Sequence, residues 1–323
     1  MRGLPFTVLL PLFALLLVLQ GNPLNADEQR PEAFHQWQVL EVKTGRAVAF
    51  EDWMVRLATQ EVIYLGEEHR NASHVEAALQ IMRALLKRDR QPVLALEMFG
   101  WDGQDGLDRY LSDRGTAREV FLQESHWEKN WGGRYEDYEP LVNFAQEWHI
   151  HVLALNPPKA LVRRVARDGL AGALADPEMS RWEMREGALS DEPAYRKVIL
   201  EQLRRCHDGL SDEAYQRMYE ASNFRDEGMA KTISEYLRRV QNGLAPQGGP
   251  IVSYTGGGHI QYHLPIPNRV LRRHAGPIRQ TTVYLTAYEP ARSEEIRELI
   301  RDSIADYVWL TPLGADGAPR RCR

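Results

Sequence analysis

Four separate stretches of the sequence deliver residues whose types can do chemistry. Glu67 and His69 follow the apolar run Val62-Ile63-Tyr64-Leu65. Glu97 follows Val93-Leu94-Ala95-Leu96, Asn156 follows Val152-Leu153-Ala154-Leu155, and His259 follows Ile251-Val252-Ser253-Tyr254 and a glycine run. Two imidazoles and two carboxylates of this kind can ligate a hard or borderline divalent metal, with His69, His259 and Glu67 as candidate ligands. They can equally serve as general acid and base, with Glu67, His69, Glu97 and His259 as the candidate catalytic set. The glycines at 256–258 allow close backbone approach to a ligand and offer N–H groups to an anion. Each residue alone has an ordinary explanation, since a glutamate at a strand end caps a helix and a lone histidine hydrogen-bonds a loop. Their arrival after four separate runs carries the expectation of a site.

Arg225 is set apart by its neighbours. Met218, Ser222, Arg225, Met229 and Ile233 fall at spacings of four, three, four and four, so the guanidinium emerges from an apolar helix stripe. A buried arginine needs an anionic partner, here Glu67, Glu97 or a carboxylate of a ligand. A snorkelling side chain, stem buried and head in water, is the alternative. The stretch His126 to Tyr138, HWEKNWGGRYEDY, gathers Trp127, Trp131, Tyr135 and Tyr138 around Gly132-Gly133. Aromatics interleaved with Lys129 and Arg134 suit a flat anionic ligand or the packing of a core. A GxSxG elbow, a P-loop, a credible GxGxxG and an HEXXH helix are all missing from the sequence.

The elements that must position these residues follow from the same runs. A fifth, Thr282-Val283-Tyr284-Leu285, joins the other four. Continuous apolar runs of four or five residues suit strands buried on both faces, as in a parallel sheet between helices. Val75, Ala78, Leu79, Met82, Leu85 and Leu86 repeat at three and four, giving a helix between the first two strands. Further helices fit Leu141 to Trp148 and Lys159 to Asp168, the latter stopped by Gly169. The residues from about 176 to 242 read as a helical insertion between the third and fourth core strands. Its helices start at signals such as Asp176-Pro177, Ser190 to Pro193 and Ser211-Asp212-Glu213, where a capping side chain precedes acids that favour the positive end of the helix dipole. The expected fold class is therefore α/β, a mostly parallel sheet flanked by helices and carrying that insertion. In such a sheet the loops after the carboxyl ends of the strands line one crevice.

Composition narrows the partners. Among 323 residues, 40 Lys+Arg against 45 Asp+Glu leave a net charge of -5, so no nucleic acid is expected as a partner. Residues 1–26 read as a signal peptide: Arg2, then an apolar run from Leu4 to Leu19 that is short for a spanning helix, then Ala26 before Asp27-Glu28. An uncleaved anchor is the alternative, and both readings place the folded part in the periplasm or otherwise outside the cytoplasm. The run has no lipidation cysteine after it. Residues 27–44 form a lead-in, 45–275 the main domain, 276–313 a C-terminal strand and helix, and 314–323 a disordered tail. Cys206 and Cys322, the two cysteines, are too few for a disulfide framework or a Cys-based zinc site, which leaves burial alone to hold the core.

Read in order, YLGEEHRNASH from Tyr64, LALEMF from Leu94, WEKNW from Trp127, VLALNPP from Val152, SNFRDEGMA from Ser222 and TGGGHIQYHLPIP from Thr255 resemble the blocks of the ChaN-like haem-binding uptake family, within the Tiki, TraB and erythromycin-esterase superfamily. The resemblance implies a parallel α/β fold and an extracytoplasmic protein of haem or iron uptake, with an outer-membrane haem receptor system as an expected partner; a flat cofactor held at a modest aromatic loop would suit a homodimer interface. Haem would be held with a Tyr or His on iron, and Arg225, Tyr135, Tyr138, Trp131 and Asn156 are the candidate contacts. The superfamily also implies an alternative, a peptidase or esterase that uses a divalent metal, two GxxH motifs (Gly66 to His69 and Gly256 to His259) and Glu67 or Glu97. The family's Arg-Asp block falls on Arg225-Asp226. Members are often lipoproteins, and the missing lipidation cysteine departs from that pattern. His263 takes no role from the resemblance.

Overall fold

The computed structural model describes residues 33–184, 189–315 and 317; the signal-peptide reading and most of the tail fall outside them. Eight strands form one sheet: β1 (Val39–Glu41), β2 (Arg46–Val48), β3 (Val62–Glu67), β4 (Val93–Gly100), β5 (Val152–Asn156), β6 (Ile251–Gly256), β7 (Gln280–Ala287) and β8 (Tyr307–Thr311). Their order is β2-β1-β8-β7-β3-β6-β4-β5. All pairings from β8 to β5 are parallel, and β1 is antiparallel to both β8 and β2. The fold is thus the α/β class that the apolar runs predict.

The helices in chain order are α1 (Phe50–Leu57), α2 (Ala72–Leu86), α3 (Gln104–Ser112), α4 (Arg118–Glu124), α5 (Trp127–Asn130), α6 (Glu139–Glu147), α7 (Lys159–Leu174), α8 (Pro177–Arg181), α9 (Pro193–Cys206), α10 (Asp212–Gln241), α11 (Ile266–Arg273) and α12 (Ser293–Arg301). Gly169, at φ 74°, breaks α7 where the sequence places its stop. In the insertion, Asp176 and Ser211 cap α8 and α10 through their side chains. The 30-residue α10 then returns across the sheet.

Strand alternation divides the core. Ile63, Leu65, Leu94, Leu96, Val252 and Tyr254 pack with α2, while Val62, Tyr64, Val93, Ala95 and Ile251 pack under Met229, Ile233 and Tyr236 of α10. Both sets are buried, which is why the strands read as unbroken apolar runs. The same period of two continues to the strand ends. Glu67 extends the Ile63–Leu65 face toward α2, and Glu97 extends the Val93–Ala95 face toward α10.

Three strands lie outside the sequence reading. β1 and β2 have three residues each, too few for a period, and β1 brings part of the expected lead-in into the sheet. β8 is a buried five-residue apolar run, YVWLT. Cysteine also corrects the reading: Cys206, closing α9, is disulfide-bonded, so burial is joined by a covalent constraint. Of the expected tail, Gly314 and Gly317 form an isolated bridge.

Candidate functional site

Each expected strand end delivers its residue to the carboxyl edge of the sheet. At the end of β3, the Glu67 carboxylate is 3 % exposed and accepts three hydrogen bonds. His69 Nδ1 donates to Oε1 at 2.7 Å, the Tyr138 hydroxyl to Oε1 at 3.0 Å and the Tyr254 hydroxyl to Oε2 at 2.7 Å. Tyr254 reaches it because both side chains lie on the α2 face. Trp131 stands edge-on to the His69 ring, centroids 5.1 Å apart at 86°. Burial opposes the charged form of His69, but the Glu67 hydrogen bond and the Glu97 charge outweigh it, and the imidazole pKa rises above its ordinary value.

On the opposite face, Glu97 is 1 % exposed. Its Oε1 accepts from Arg225 Nη2 at 2.5 Å and its Oε2 from the Gly256 amide at 2.6 Å. His259 Nε2 lies 3.3 Å from Oε1. Burial alone would raise the pKa of this carboxyl, yet the His259 charge and hydrogen bond, followed by Arg225 and His69, hold it well below the usual range. Arg225 therefore takes the buried partner, and Glu97 is that partner. Asn156 secures the pair, donating to the Glu97 carbonyl at 2.8 Å and accepting from Arg225 Nε at 3.4 Å.

His259 has a second carboxylate. Its Nδ1 donates to Asp226 Oδ1 at 2.5 Å, and the Tyr195 hydroxyl donates to Asp226 Oδ2 at 2.5 Å. Burial works against the imidazolium, and Glu97 and Asp226 together overcome it, so the His259 pKa is pushed up to about 9. A histidine whose pKa is raised on folding stabilises the fold fully below its ordinary value near 6.5, and that contribution is lost as pH rises through about 9. The wild type is expected to lose about 3 kcal/mol more than His259→Gln between pH 6.5 and 10. Urea denaturation of both across that range checks this.

The edge is not one crevice. A cleft of about 500 Å³ is lined by His69, Trp131, Asn156, Pro157 and five cations, Arg70, Arg134, Lys159, Arg163 and Arg225, with Asp137 the acid among its lining residues. Its volume suits a small-molecule ligand. Burial, and to a lesser degree the charges of Arg163 and Arg225, lowers the Lys159 pKa. His259 and Asp226 open instead onto a hollow of about 220 Å³ beside Leu203, Cys206 and Ser222.

Two aromatic candidates move behind this cleft. Tyr135 is 3 % exposed and packs edge-on to Trp127, and Tyr138 is 0 % exposed and spends its hydroxyl on Glu67. Of the aromatic stretch, Trp131 alone lines the cleft. The three expected metal ligands are also not assembled. Among the described residues no three His, Cys, Asp or Glu side chains group to hold a metal ion. Glu67 is engaged by three donors, and His259 sits on the opposite face between Asp226 and Glu97. Glu68 turns away to Thr286, the Ala287 amide and Arg292. His263 pairs with Asp306 at 3.1 Å.

Sequence reasoning singled out neither Lys159 nor Arg163, although Lys159 directly follows Asn156-Pro157-Pro158 and begins α7. Tyr254 was hidden within an apolar run, and Tyr195 has no local pattern that marks it.

Comparisons with known proteins bear on the family and the fold. A family described as "Haem-binding uptake, Tiki superfamily, ChaN" matches residues 53–270. The structure of ChaN of Campylobacter jejuni, titled for cofacial heme binding, superposes with a TM-score of 0.63 at 20 % identity, covering 84 % of this chain and 95 % of that one. Among curated proteins, Protein RETICULATA-RELATED 5, chloroplastic, of Arabidopsis thaliana is 25 % identical over 271 residues. That match covers 79 % of this chain but about a third (34 %) of the plant protein.

Proposed function

Because the chain belongs to the ChaN family of haem-binding uptake proteins in the Tiki superfamily, we propose that it is an exported haem-binding protein whose ligand occupies the cationic cleft. The observation that carries this reading is the lining of that cleft: Trp131 beside five cationic side chains. Haem is a flat apolar disc with two carboxylates, and this donor set fits it. Trp131 would meet the ring, and Lys159 and Arg163 of α7, Arg225 of α10, and Arg134 and Arg70 would take the carboxylates. When bound, haem supplies iron with open axial positions; the protein supplies burial, charge and orientation.

Export rests on the signal-like residues 1–26, and the disulfide at Cys206 supports an oxidising compartment. A role in uptake through an outer-membrane receptor system, and a dimer sharing its ligand, form part of the proposal.

A haemin titration followed in the Soret band tests it, with a saturable shift at one haem or fewer per chain expected. Absence of saturation would contradict the proposal. A hydrolase is a second reading, favoured by one specific observation: two imidazoles, each with Nδ1 on a buried carboxylate, flank the Glu97–Arg225 pair. Such a site can hold and move protons at the two Nε2 atoms. Hydrolysis of a 4-nitrophenyl ester that His259→Ala abolishes, on protein that takes up no haem, would favour that reading instead.

A further inference from the structure

Resting on the haem-binding reading, we propose that His69 is the iron ligand of this chain, bonding through Nε2, and that Glu67 with Tyr138 and Tyr254 is the apparatus that positions it. A protein ligand to haem iron is a histidine, tyrosine, methionine or cysteine. Among the described residues that line the cleft, His69 is the one side chain of those four types. The tyrosines of the neighbouring aromatic stretch cannot reach it, since Tyr135 and Tyr138 are 3 % and 0 % exposed. His259 opens onto the other hollow and holds carboxylates at both ring nitrogens.

His69 is built for the task at each point that can be checked. Its Nδ1 is committed to Glu67 at 2.7 Å, which leaves Nε2 as the nitrogen for iron. A histidine that donates its other N–H to a carboxylate is fixed in tautomer and orientation and becomes a stronger donor. Glu67 in turn cannot swing away, because two tyrosine hydroxyls hold both its oxygens. The imidazole is 46 % exposed, whereas Glu67 is wholly buried. Gly256 completes the arrangement: a Cβ there would fall 2.9 Å from His69 Cε1 and 3.1 Å from Nε2. Glycine at this position lets the ring seat against the end of β6, where any side chain would push it aside.

Haemin and metal-free protoporphyrin IX separate the iron bond from the rest of the site. Full-length wild type should bind both, and its ferric haemin complex should show the spectrum of an imidazole-ligated haem. His69→Gly should lose that spectrum and bind haemin at least 10-fold more weakly. It should bind protoporphyrin unchanged, which also reports an intact fold, and added imidazole should restore the wild-type spectrum. His69→Tyr should convert the spectrum to that of a phenolate ligand. Glu67→Gln should keep the histidine bond and weaken the iron–nitrogen stretch in ferrous resonance Raman spectra. A wild-type haemin spectrum retained in His69→Gly and His69→Tyr would overturn the assignment while leaving haem binding intact. Failure of the wild type to bind either porphyrin would overturn the haem-binding reading and the assignment together.

Discussion

Arg225→Met is expected to cost the fold about 3 kcal/mol at neutral pH, the low end of the penalty for stripping one partner from a buried ion pair. Glu97 is 1 % exposed and keeps its charge because Arg225, His259 and the Gly256 amide face it. Methionine fills much the same volume, so the loss is electrostatic rather than a cavity. His259, at 3.3 Å, remains as a counter-charge, which is why the upper end of the range is not reached. The pH dependence distinguishes this from a packing defect. Glu97 has a depressed pKa in the fold, so its contribution is present above the ordinary carboxyl range and lost as pH falls. The gap between wild type and Arg225→Met should therefore hold down to about pH 4.5 and narrow only below it, as seen on going from pH 7 to pH 3. Guanidinium denaturation at the two values measures it, and a constant gap would show that the pair is not its source.

Gly228→Ala is the second large effect. Gly228 lies in α10, one turn beyond Arg225, where the helix crosses the loop after β5. A Cβ there would come 2.9 Å from Pro157 Cδ, still closer to Pro157 Cγ, and 3.1 Å from Trp101 Cζ2. A proline ring cannot rotate aside, and the Trp101 indole is fixed by hydrogen bonds to Thr232 and the Leu155 carbonyl. Alanine, ordinarily better in a helix than glycine by about 1 kcal/mol, should here destabilise by about 1 to 3 kcal/mol. The strain should also reach the site, since Pro157 lines the cleft and Asn156 beside it holds Arg225. A lowered melting temperature together with weaker ligand binding is the expected result. An unchanged or raised melting temperature would mean that α10 moves freely off the sheet.

The carboxyl edge was legible because parallel strands buried on both faces leave unbroken apolar runs, and whatever follows such a run stands at the sheet edge. That rule reached Glu67, His69, Glu97, Asn156 and His259. It did not say which face each would take. Strand alternation sends Glu67 and Glu97 to opposite sides of the sheet, and this is why an expected metal triad becomes two separate histidine–carboxylate pairs. Arg225 was legible for a related reason, as a charge inside an apolar helical stripe. The aromatic stretch gave the least away. Trp127, Trp131, Tyr135 and Tyr138 are alike in sequence, and only their packing sorts the cleft-lining Trp131 from the buried Tyr138 that braces Glu67. The cations of α7 were missed because a lysine and an arginine at the start of a helix look like an ordinary solvated surface.

Those α7 cations offer the most direct test of the central claim, that haem sits in the cationic cleft. Lys159→Glu/Arg163→Glu reverses two charges on one wall while leaving Glu67, His69 and the buried Glu97–Arg225 pair in place. Haemin titrations of this variant and the wild type, in parallel at low ionic strength, should give an affinity lower by a factor of about 30 or more, since two charge-assisted contacts are replaced by repulsion. Equal affinities would contradict the account and place the ligand elsewhere on the protein.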